Sequence, residues 1–111
     1  MPRKDEVRLA HILDAIAEVE QIVKGLTQSD LAEDRIKQLA ITKLIEIIGE
    51  AASNLTPATR EAIPGINWSA VIAMRNRLIH AYFDVDYEIV WATIQQDLPE
   101  LKQHIFKHLH G

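Results

Sequence analysis

Apolar residues recur at steps of three and four along most of the chain, which is the period of an amphipathic α-helix. The first such segment runs from Asp5 to Leu26, and its apolar positions are Leu9, Ile12, Leu13, Ile16, Val19, Val23 and Leu26. Gly25 marks the expected end of this helix, because glycine readily adopts the left-handed conformation that closes a helix. The pattern predicts an amphipathic helix of about 20 residues.

A second long helix is predicted from Asp34 to Asn54, after a cap-rich stretch at Thr27–Asp30. It carries two adjacent apolar stripes. The first stripe comprises Ile41, Leu44, Ile45, Ile48, Ala52 and Leu55, and the second comprises Ile36, Ala40, Ile47 and Ala51. So wide an apolar surface predicts packing against more than one neighbour. Only a narrow polar line remains, formed by Lys43, Glu46, Glu50 and Ser53.

Cap signals divide the second half of the chain. Thr56-Pro57 begins a short helix, because proline suits the first helical position, and Pro64-Gly65 ends it. Asn67 caps a predicted helix that runs from Trp68 to about Tyr82.

Asp84 or Asp86 caps the last predicted helix, which extends to about Leu109 and is expected to kink at Pro99. Its core line is Val90, Ile94, Leu98, Leu101, Ile105 and Leu109. The predicted fold is all-α: an antiparallel four-helix bundle with short additional helices, in a single domain over residues 1–111.

Composition narrows the possible functions. The chain has 111 residues, of which 48% are hydrophobic and 25% are charged, as in ordinary globular proteins. The absence of cysteine excludes disulfides, thiolate metal sites and a cysteine nucleophile. A net charge of −4 is unusual for a general electrostatic nucleic-acid binder. With no apolar run near 20 residues and a charged Met1–Glu6 start, we expect a soluble, cytoplasmic protein without membrane contact.

Arg75 breaks the apolar pattern of the helix predicted over Trp68–Tyr82. On an ideal helix it shares a face with Val71, Ile72, Leu78, Ile79 and Tyr82. A buried arginine requires an acidic or carbonyl partner, and Glu46 and Glu50 are both candidates. The spacing alone does not choose between them.

Asn76, Arg77 and His80 form a polar face beside Arg75. These side chains can contact phosphate or titrate, but they can equally form ion pairs or cap a helix end. On an ideal helix Arg75 and His80 lie about 140° apart, so one protomer would not easily bring both to one phosphate. A second copy of the chain could supply the missing partner across a two-fold axis.

Histidines cluster at the C-terminus, at His104, His108 and His110. The i, i+4 spacing is compatible with a metal ion, but no third ligand is nearby on this helix. We therefore expect a solvated helix end and no metal site.

The segment Arg75-Asn-Arg-Leu-Ile-His80-Ala-Tyr82 resembles the R-x4-H-x-Y form of the HEPN superfamily found in HepT-like toxins. Other segments resemble HepT-like sequences in the same order: Leu44–Ala52, Pro64–Trp68, Met74–His80, Asp84–Trp91 and Gln95–Leu101. The resemblance covers about Asp5 to Leu109.

This resemblance implies an all-helical HEPN homodimer in which the R-x4-H motifs of two protomers meet in a cleft. It implies a metal-independent endoribonuclease that needs no cofactor and acts as the toxin of a toxin–antitoxin pair. The antitoxin would be a nucleotidyltransferase of the MntA-like type, which attaches AMP to the motif tyrosine. By position, Arg75 and His80 would be catalytic and Tyr82 would be the modified residue, with Asn76, Arg77, Glu46 and Glu50 in supporting or RNA-binding roles.

Two other interpretations stay open. A HEPN dimer could instead bind a nucleotide or a nucleotidyltransferase partner, with little nuclease activity. Alternatively, Arg75 and His80 could be structural residues of a helical bundle without chemistry. The variant His80→Ala separates these interpretations, since loss of activity from a folded dimer indicates catalysis and loss of folding indicates a structural role.

Overall fold

Long helices dominate the fold. The computed structural model describes residues 1–81 and 84–111, without the side chains of residues 79–81. The elements follow in the order α1 (Arg3–Val23), α2 (Gln28–Ala32), α3 (Arg35–Ser53), α4 (Pro57–Ala62), α5 (Trp68–Ile72), α6 (Met74–Leu78), β1 (Ile79–Ala81), β2 (Asp84–Val85), α7 (Tyr87–Ala92), a π-helical turn (Thr93–Asp97) and α8 (Leu98–His110). The chain is therefore all-α apart from a short hairpin.

The predicted ends of the first two long helices lie close to those of α1 and α3. Gly25 has a φ of 78° just beyond α1, as its role in ending that helix requires. Thr27 and Asp30 form a capping box at α2, in which each side chain accepts a hydrogen bond from the other's backbone N–H. Asp34 caps α3 by accepting from the N–H of Lys37 at 3.1 Å. These ends were predictable because caps are local interactions.

The first apolar stripe of α3 is buried, as predicted, and α1 supplies much of the opposing surface. The second stripe is not: Ile36 is 81% exposed and Ile47 is only half-buried. α3 nevertheless contacts α1, α2, α5 and α6, so the prediction of more than one neighbour is confirmed. Within the second stripe, Ile47 and Ala51 pack partly against the core, and Ile36 remains at the surface.

The helix predicted from Trp68 to Tyr82 is interrupted. α5 ends in a turn at Ala73, α6 ends at Leu78, and the chain continues as β1. β1 pairs antiparallel with β2, and the pairs Ile79–Val85 and Ala81–Asp84 flank an irregularity in register. The N–H of Asp86 donates to the carbonyl of Leu78 at 2.9 Å, which closes the hairpin directly onto the end of α6. Among the described residues, two short helices and a strand thus replace the predicted helix, and the four-helix bundle is not confirmed.

The last predicted helix is correct in its core line but is not a uniform α-helix. Val90, Ile94, Leu98, Leu101 and Ile105 are buried, and Leu109 is partly buried. Asp86, rather than Asp84, caps α7 by accepting from the N–H of Ile89. The irregularity expected at Pro99 is a π-helical turn in the preceding residues, because proline has no N–H for an α-helical bond.

Asp5 joins the start of α1 to α4. Its fully buried carboxylate accepts hydrogen bonds from the hydroxyls of Thr56 and Thr59, both at 2.6 Å, and lies 3.5 Å from Arg8. The Thr56 and Thr59 hydroxyl bonds favour the charged form and lower the pKa of Asp5 below its ordinary value. Thr56 therefore serves this carboxylate and does not cap α4 with its side chain.

No helix among the described residues is long and apolar enough to cross a membrane.

Candidate functional site

An ion pair between α6 and α3 forms the centre of the candidate site. The Nε of Arg75 donates to Oε1 of Glu46 at 2.6 Å. Neither Nη nitrogen of Arg75 donates to a described residue. Lys43 lies 3.9 Å from the other oxygen of Glu46. Of the two predicted partners, the structure selects Glu46.

The sequence predicts that Arg75 is a buried member of the apolar stripe, and this prediction is wrong. Its side chain is 47% exposed, whereas Val71, Met74 and Leu78 are buried. The turn at Ala73 breaks the ideal helical phase, so Met74 takes the inward position and Arg75 lies at the surface. A guanidinium there can reach a ligand without losing all of its hydration.

The Arg75–Glu46 pair lies in a groove of about 250 Å³ between α3, α6 and the hairpin. Three cationic side chains line this groove together with one acid; the lining comprises Arg35, Gln38, Leu39, Thr42, Lys43, Glu46, Arg75, Val85 and Tyr87. Tyr87 donates to Gln38 at 2.7 Å, and Gln38 in turn donates to the carbonyls of Leu31 and Ala32. One wall of the groove is thereby fixed by a chain of hydrogen bonds.

Gly49 brings the two helices of the ion pair close together. A Cβ at this position would lie 3.3 Å from the carbonyl oxygen of Ile72, at the end of α5. The missing side chain lets α3 approach the turn that leads into α6, three residues before Arg75. Gly49 was not among the residues predicted from the sequence, although a glycine inside a helix signals close backbone approach.

Arg77 does not lie with Arg75. Its Nη2 donates to Asp97 at 2.8 Å and contacts the hydroxyl of buried Thr93 at 3.4 Å. Both partners belong to the π-helical turn, so Arg77 links α6 to the last helical segment. Thr93 and Asp97 were not predicted as partners of Arg77, because no local signal connects them with a residue 16 or 20 positions away.

The other supporting candidates are separated from the ion pair. Asn76 is exposed between the two arginines. Glu50 is also exposed, but it lines a different groove, between α3 and α1, and does not contact Arg75. Arg75 therefore pairs with Glu46 and not with Glu50, and the supporting roles assigned to the two glutamates stay predictions.

The backbone of His80 lies in β1, two residues beyond the end of α6. The angle of about 140° expected between Arg75 and His80 applies only to a continuous helix, so that argument for a second copy does not hold. The side chain of His80 and the whole of Tyr82 lie outside the described residues. Their assigned roles therefore remain predictions.

The C-terminal histidines do not converge on one point. His104 packs against Gly65, and the His110 ring lies 4.3 Å from that of Phe106. In the described part of the chain, no three histidine or acidic side chains are grouped as metal ligands would be.

Chemically, the groove presents a positioned guanidinium with spare donors. A guanidinium binds two oxygens of a phosphate through parallel N–H groups, and it stabilises charge that develops there. Glu46 fixes the orientation of Arg75 without occupying its Nη donors. This arrangement suits a phosphodiester and any reaction that increases its negative charge.

The sequence also matches known proteins. Residues 12–107 match the family described as ribonuclease HepT-like. The protein named "Putative RNase TTE0752", of Caldanaerobacter subterraneus subsp. tengcongensis, is 38% identical over 97 residues, or 87% of each chain. "Probable ribonuclease HepT" of Thermococcus cleftensis is 36% identical over 102 residues, which cover 92% of this chain and 93% of that protein.

A longer relative is "Gamma-glutamylcyclotransferase and putative RNase MJ0434" of Methanocaldococcus jannaschii. It is 40% identical over 106 residues, which cover 95% of this chain and 48% of that protein. No solved structure matches the chain. The resemblance carried by Arg75, His80 and Tyr82 is thus confirmed at the level of the family: the chain belongs to the ribonuclease HepT-like family, and it is an RNase by that membership.

Proposed function

We propose that this RNase is a metal-independent endoribonuclease whose Arg75 binds the scissile phosphate and whose His80 transfers the proton. The observation that supports this proposal is the geometry of Arg75, which Glu46 holds through Nε at 2.6 Å. Both Nη nitrogens are left to bind two phosphate oxygens. A purely structural ion pair would gain more from a bidentate contact through two guanidinium nitrogens.

The proposed reaction uses the 2′-hydroxyl of the RNA as the nucleophile. His80 takes the 2′-hydroxyl proton, the 2′-oxygen bonds to phosphorus, and the bond from phosphorus to the 5′-oxygen breaks. A proton, from imidazolium or water, reaches the leaving 5′-oxygen and leaves a 2′,3′-cyclic phosphate. Arg75 stabilises the extra negative charge on the phosphorane.

We further propose that two chains form a homodimer in which the R-x4-H segments share one cleft. The exposure of Arg75 at a groove, rather than in the core, supports this arrangement because a second chain can approach it. Light scattering at micromolar concentration should give twice the 12.6 kDa chain mass. A monomer mass would contradict the shared cleft.

The biological role we propose is that of a toxin silenced by a nucleotidyltransferase antitoxin. AMP on Tyr82, two residues beyond His80, would add bulk and negative charge beside the cleft and repel RNA. Tyr82→Phe should leave cleavage active and prevent AMP incorporation when the antitoxin and ATP are present. AMP detected by mass spectrometry on another residue of that variant would overturn the assignment.

The decisive experiment measures RNA cleavage by purified, unmodified protein in excess EDTA, beside His80→Ala and the control His108→Ala. We expect cleavage by wild type and by the control, a 2′,3′-cyclic phosphate on the product, and at least a hundredfold loss with His80→Ala. Circular dichroism should show the same helicity in all three. Equal rates for wild type and His80→Ala would overturn the role of His80, and dependence on an added metal would overturn the mechanism.

A further inference from the structure

A second groove lies between α1 and α3, on the side of α3 next to the Arg75 groove. It encloses about 670 Å³ and is lined by Arg3, Lys4, Val7, Arg8, His11, Ile47, Glu50, Ala51 and Asn54. The two grooves adjoin along α3, since Glu46 lines one and the next residue, Ile47, lines the other. α3 is the wall that they share.

The charge of this groove differs from that of the whole protein. The chain has a net charge of −4, yet the groove carries three permanent cations and a histidine against a single acid, Glu50. Arg8 is partly neutralised by Asp5, at 3.5 Å, but Arg3 and Lys4 are exposed and have no acidic partner among the described residues. A local cluster of this kind attracts a polyanion even on an acidic protein.

The floor of the groove is apolar. It is formed by Val7 from α1 and by Ile47 and Ala51, which belong to the second apolar stripe of α3 and are partly buried. Apolar contacts between cationic side chains suit a single nucleic-acid strand, whose bases and riboses can pack on the floor while its phosphates meet the cations. From His11 to Arg3 the groove extends about 12 Å along α1, which is enough for a few nucleotides.

A second copy of the chain is a poorer occupant. A two-fold contact across this groove would bring the cations of one protomer towards the same cations of the other. Like charges placed together in this way oppose association. The polyanionic substrate of the neighbouring groove has the complementary charge.

We propose that the α1–α3 groove binds single-stranded RNA flanking the cleavage site, so that Arg3 and Lys4 extend the substrate path that begins at Arg75. This inference rests on the proposed RNA cleavage at Arg75. Glu50 is the acidic residue in the lining of this groove and would repel the RNA phosphates. Its removal should therefore strengthen RNA binding, whereas removal of Arg3 and Lys4 should weaken it.

The test begins by mapping the cleavage position on a long RNA. Oligonucleotides are then synthesised with the cleavage site alone or with extensions of several nucleotides on the 5′ or the 3′ side. Matched strands that carry a 2′-O-methyl group at the cleavage position cannot react, so their binding is measured by fluorescence anisotropy. This separates binding from catalysis.

The variants are the double change Arg3→Gln with Lys4→Gln, and the single change Glu50→Gln. The control is Lys102→Gln with Lys107→Gln, which removes the same charge from exposed positions on α8 that line neither groove. Lys102 pairs with Glu20 at 3.1 Å, but an ion pair this exposed contributes little to stability. Arg8 is kept because it contacts buried Asp5. Melting temperatures should be unchanged in all variants.

We expect the Arg3/Lys4 variant to bind extended RNA roughly three- to tenfold more weakly, with the short RNA unaffected. The slope of the logarithm of the binding constant against the logarithm of the salt concentration should become less steep by about 1.4, the value for two lost phosphate contacts on a single strand. Glu50→Gln should bind extended RNA more tightly. The α8 control should behave like wild type.

Equal losses on short and extended RNA, or an equal loss in the α8 control, would overturn the groove as an RNA site. A change in mass by light scattering of the Arg3/Lys4 variant would also overturn it and identify the groove as an interface between copies. Length-dependent binding without cleavage would retain the groove and refute the proposed activity. Cleavage without any effect of RNA length on binding would retain the proposed activity and refute the groove as an RNA site.

Discussion

Asp5 and Glu46 are two carboxylates of the same small domain, and the chain uses them in opposite ways. Asp5 is fully buried and accepts hydrogen bonds from Thr56 and Thr59 within the chain. Glu46 is 30% exposed and holds one nitrogen of an arginine whose remaining donors face a groove. The carboxylate of Asp5 has its hydrogen-bond partners within the chain. The Glu46–Arg75 pair leaves the Nη donors of Arg75 without a partner among the described residues.

The difference shows how to distinguish structure from function in a charged group. A buried carboxylate needs all of its hydrogen bonds, because each missing one leaves an unsatisfied polar group out of water. An exposed ion pair contributes little to stability, usually below about 1 kcal/mol, so its geometry has to be explained otherwise. The Arg75–Glu46 pair is oriented but not saturated, as a binding site requires.

The largest expected effect is on activity at the exposed pair. Arg75→Ala should lower kcat/KM for RNA by about 10²–10³, because it removes the charge that stabilises the phosphorane. Its melting temperature should stay near that of wild type, since the pair is exposed. Glu46→Gln should cost less, about tenfold, because Arg75 remains but is less well oriented. Steady-state kinetics and thermal unfolding test this, and a large stability loss with unchanged kinetics would make the pair structural.

At the buried carboxylate of Asp5 we expect a loss of stability without a loss of activity. Thr59→Val removes a donor to the charged carboxylate of Asp5 and should lower the free energy of unfolding by about 1.5–3 kcal/mol, a melting-temperature decrease of roughly 6–20 °C. Ser69→Ala, which removes an exposed hydroxyl on α5, is the control. Activity per folded molecule should match wild type in both. A loss of activity at constant stability would remove the contrast between the two regions.

The lowered pKa of Asp5 predicts how stability depends on pH. The folded-state pKa lies below the ordinary value of 3.8, so the hydrogen bonds from Thr56 and Thr59 stabilise the protein above that pH. This contribution should be lost as the pH falls through the folded-state pKa. Urea unfolding from pH 7 to pH 2.5 should show Asp5→Asn less stable than wild type near neutrality, with a difference that shrinks below about pH 4. A constant difference would contradict the shift.

A smaller effect is expected at Arg77 and Asp97. If their ion pair positions α6, then Arg77→Gln and Asp97→Asn should lower kcat by the same few-fold factor with little change in KM. The exchanged pair Arg77→Asp with Asp97→Arg should then recover part of the loss. Should Arg77 instead bind RNA, Arg77→Gln alone would raise KM and reduce the salt dependence, and the exchange would not restore it.

The smallest effect is expected for Gly49→Ala. The added Cβ gains about 1 kcal/mol in helix propensity, but it lies 3.3 Å from the carbonyl of Ile72, so α5 must shift by a few tenths of an ångström. We therefore expect a nearly unchanged melting temperature and a few-fold lower kcat/KM, because the shift moves Arg75 against Glu46. Ala40→Gly, at a position of α3 that lines neither groove, is the control for helix propensity, and its kcat/KM should not change.

Much of the fold was predictable because helix periods and caps depend on neighbouring residues. Gly25, Asp34 and Asn67 were assigned correctly from local sequence, and Asn67 accepts from the N–H of Ala70 as expected. The helix over Trp68–Tyr82 was not predictable, because nothing local marks the turn at Ala73. The hairpin depends on pairing with Val85, beyond the reach of helical periodicity.

The candidate site divides in the same way. The sequence identifies the motif residues Arg75, His80 and Tyr82 and, through its similarity to known proteins over residues 12–107, the family and hence the enzyme class. Only the packed structure shows that Glu46, 29 positions from Arg75, is its partner and that Arg77 pairs with Asp97. The physical reason is range: periodicity and caps act over one or two helical turns, whereas an ion pair between helices exists only after packing has set their distance and phase.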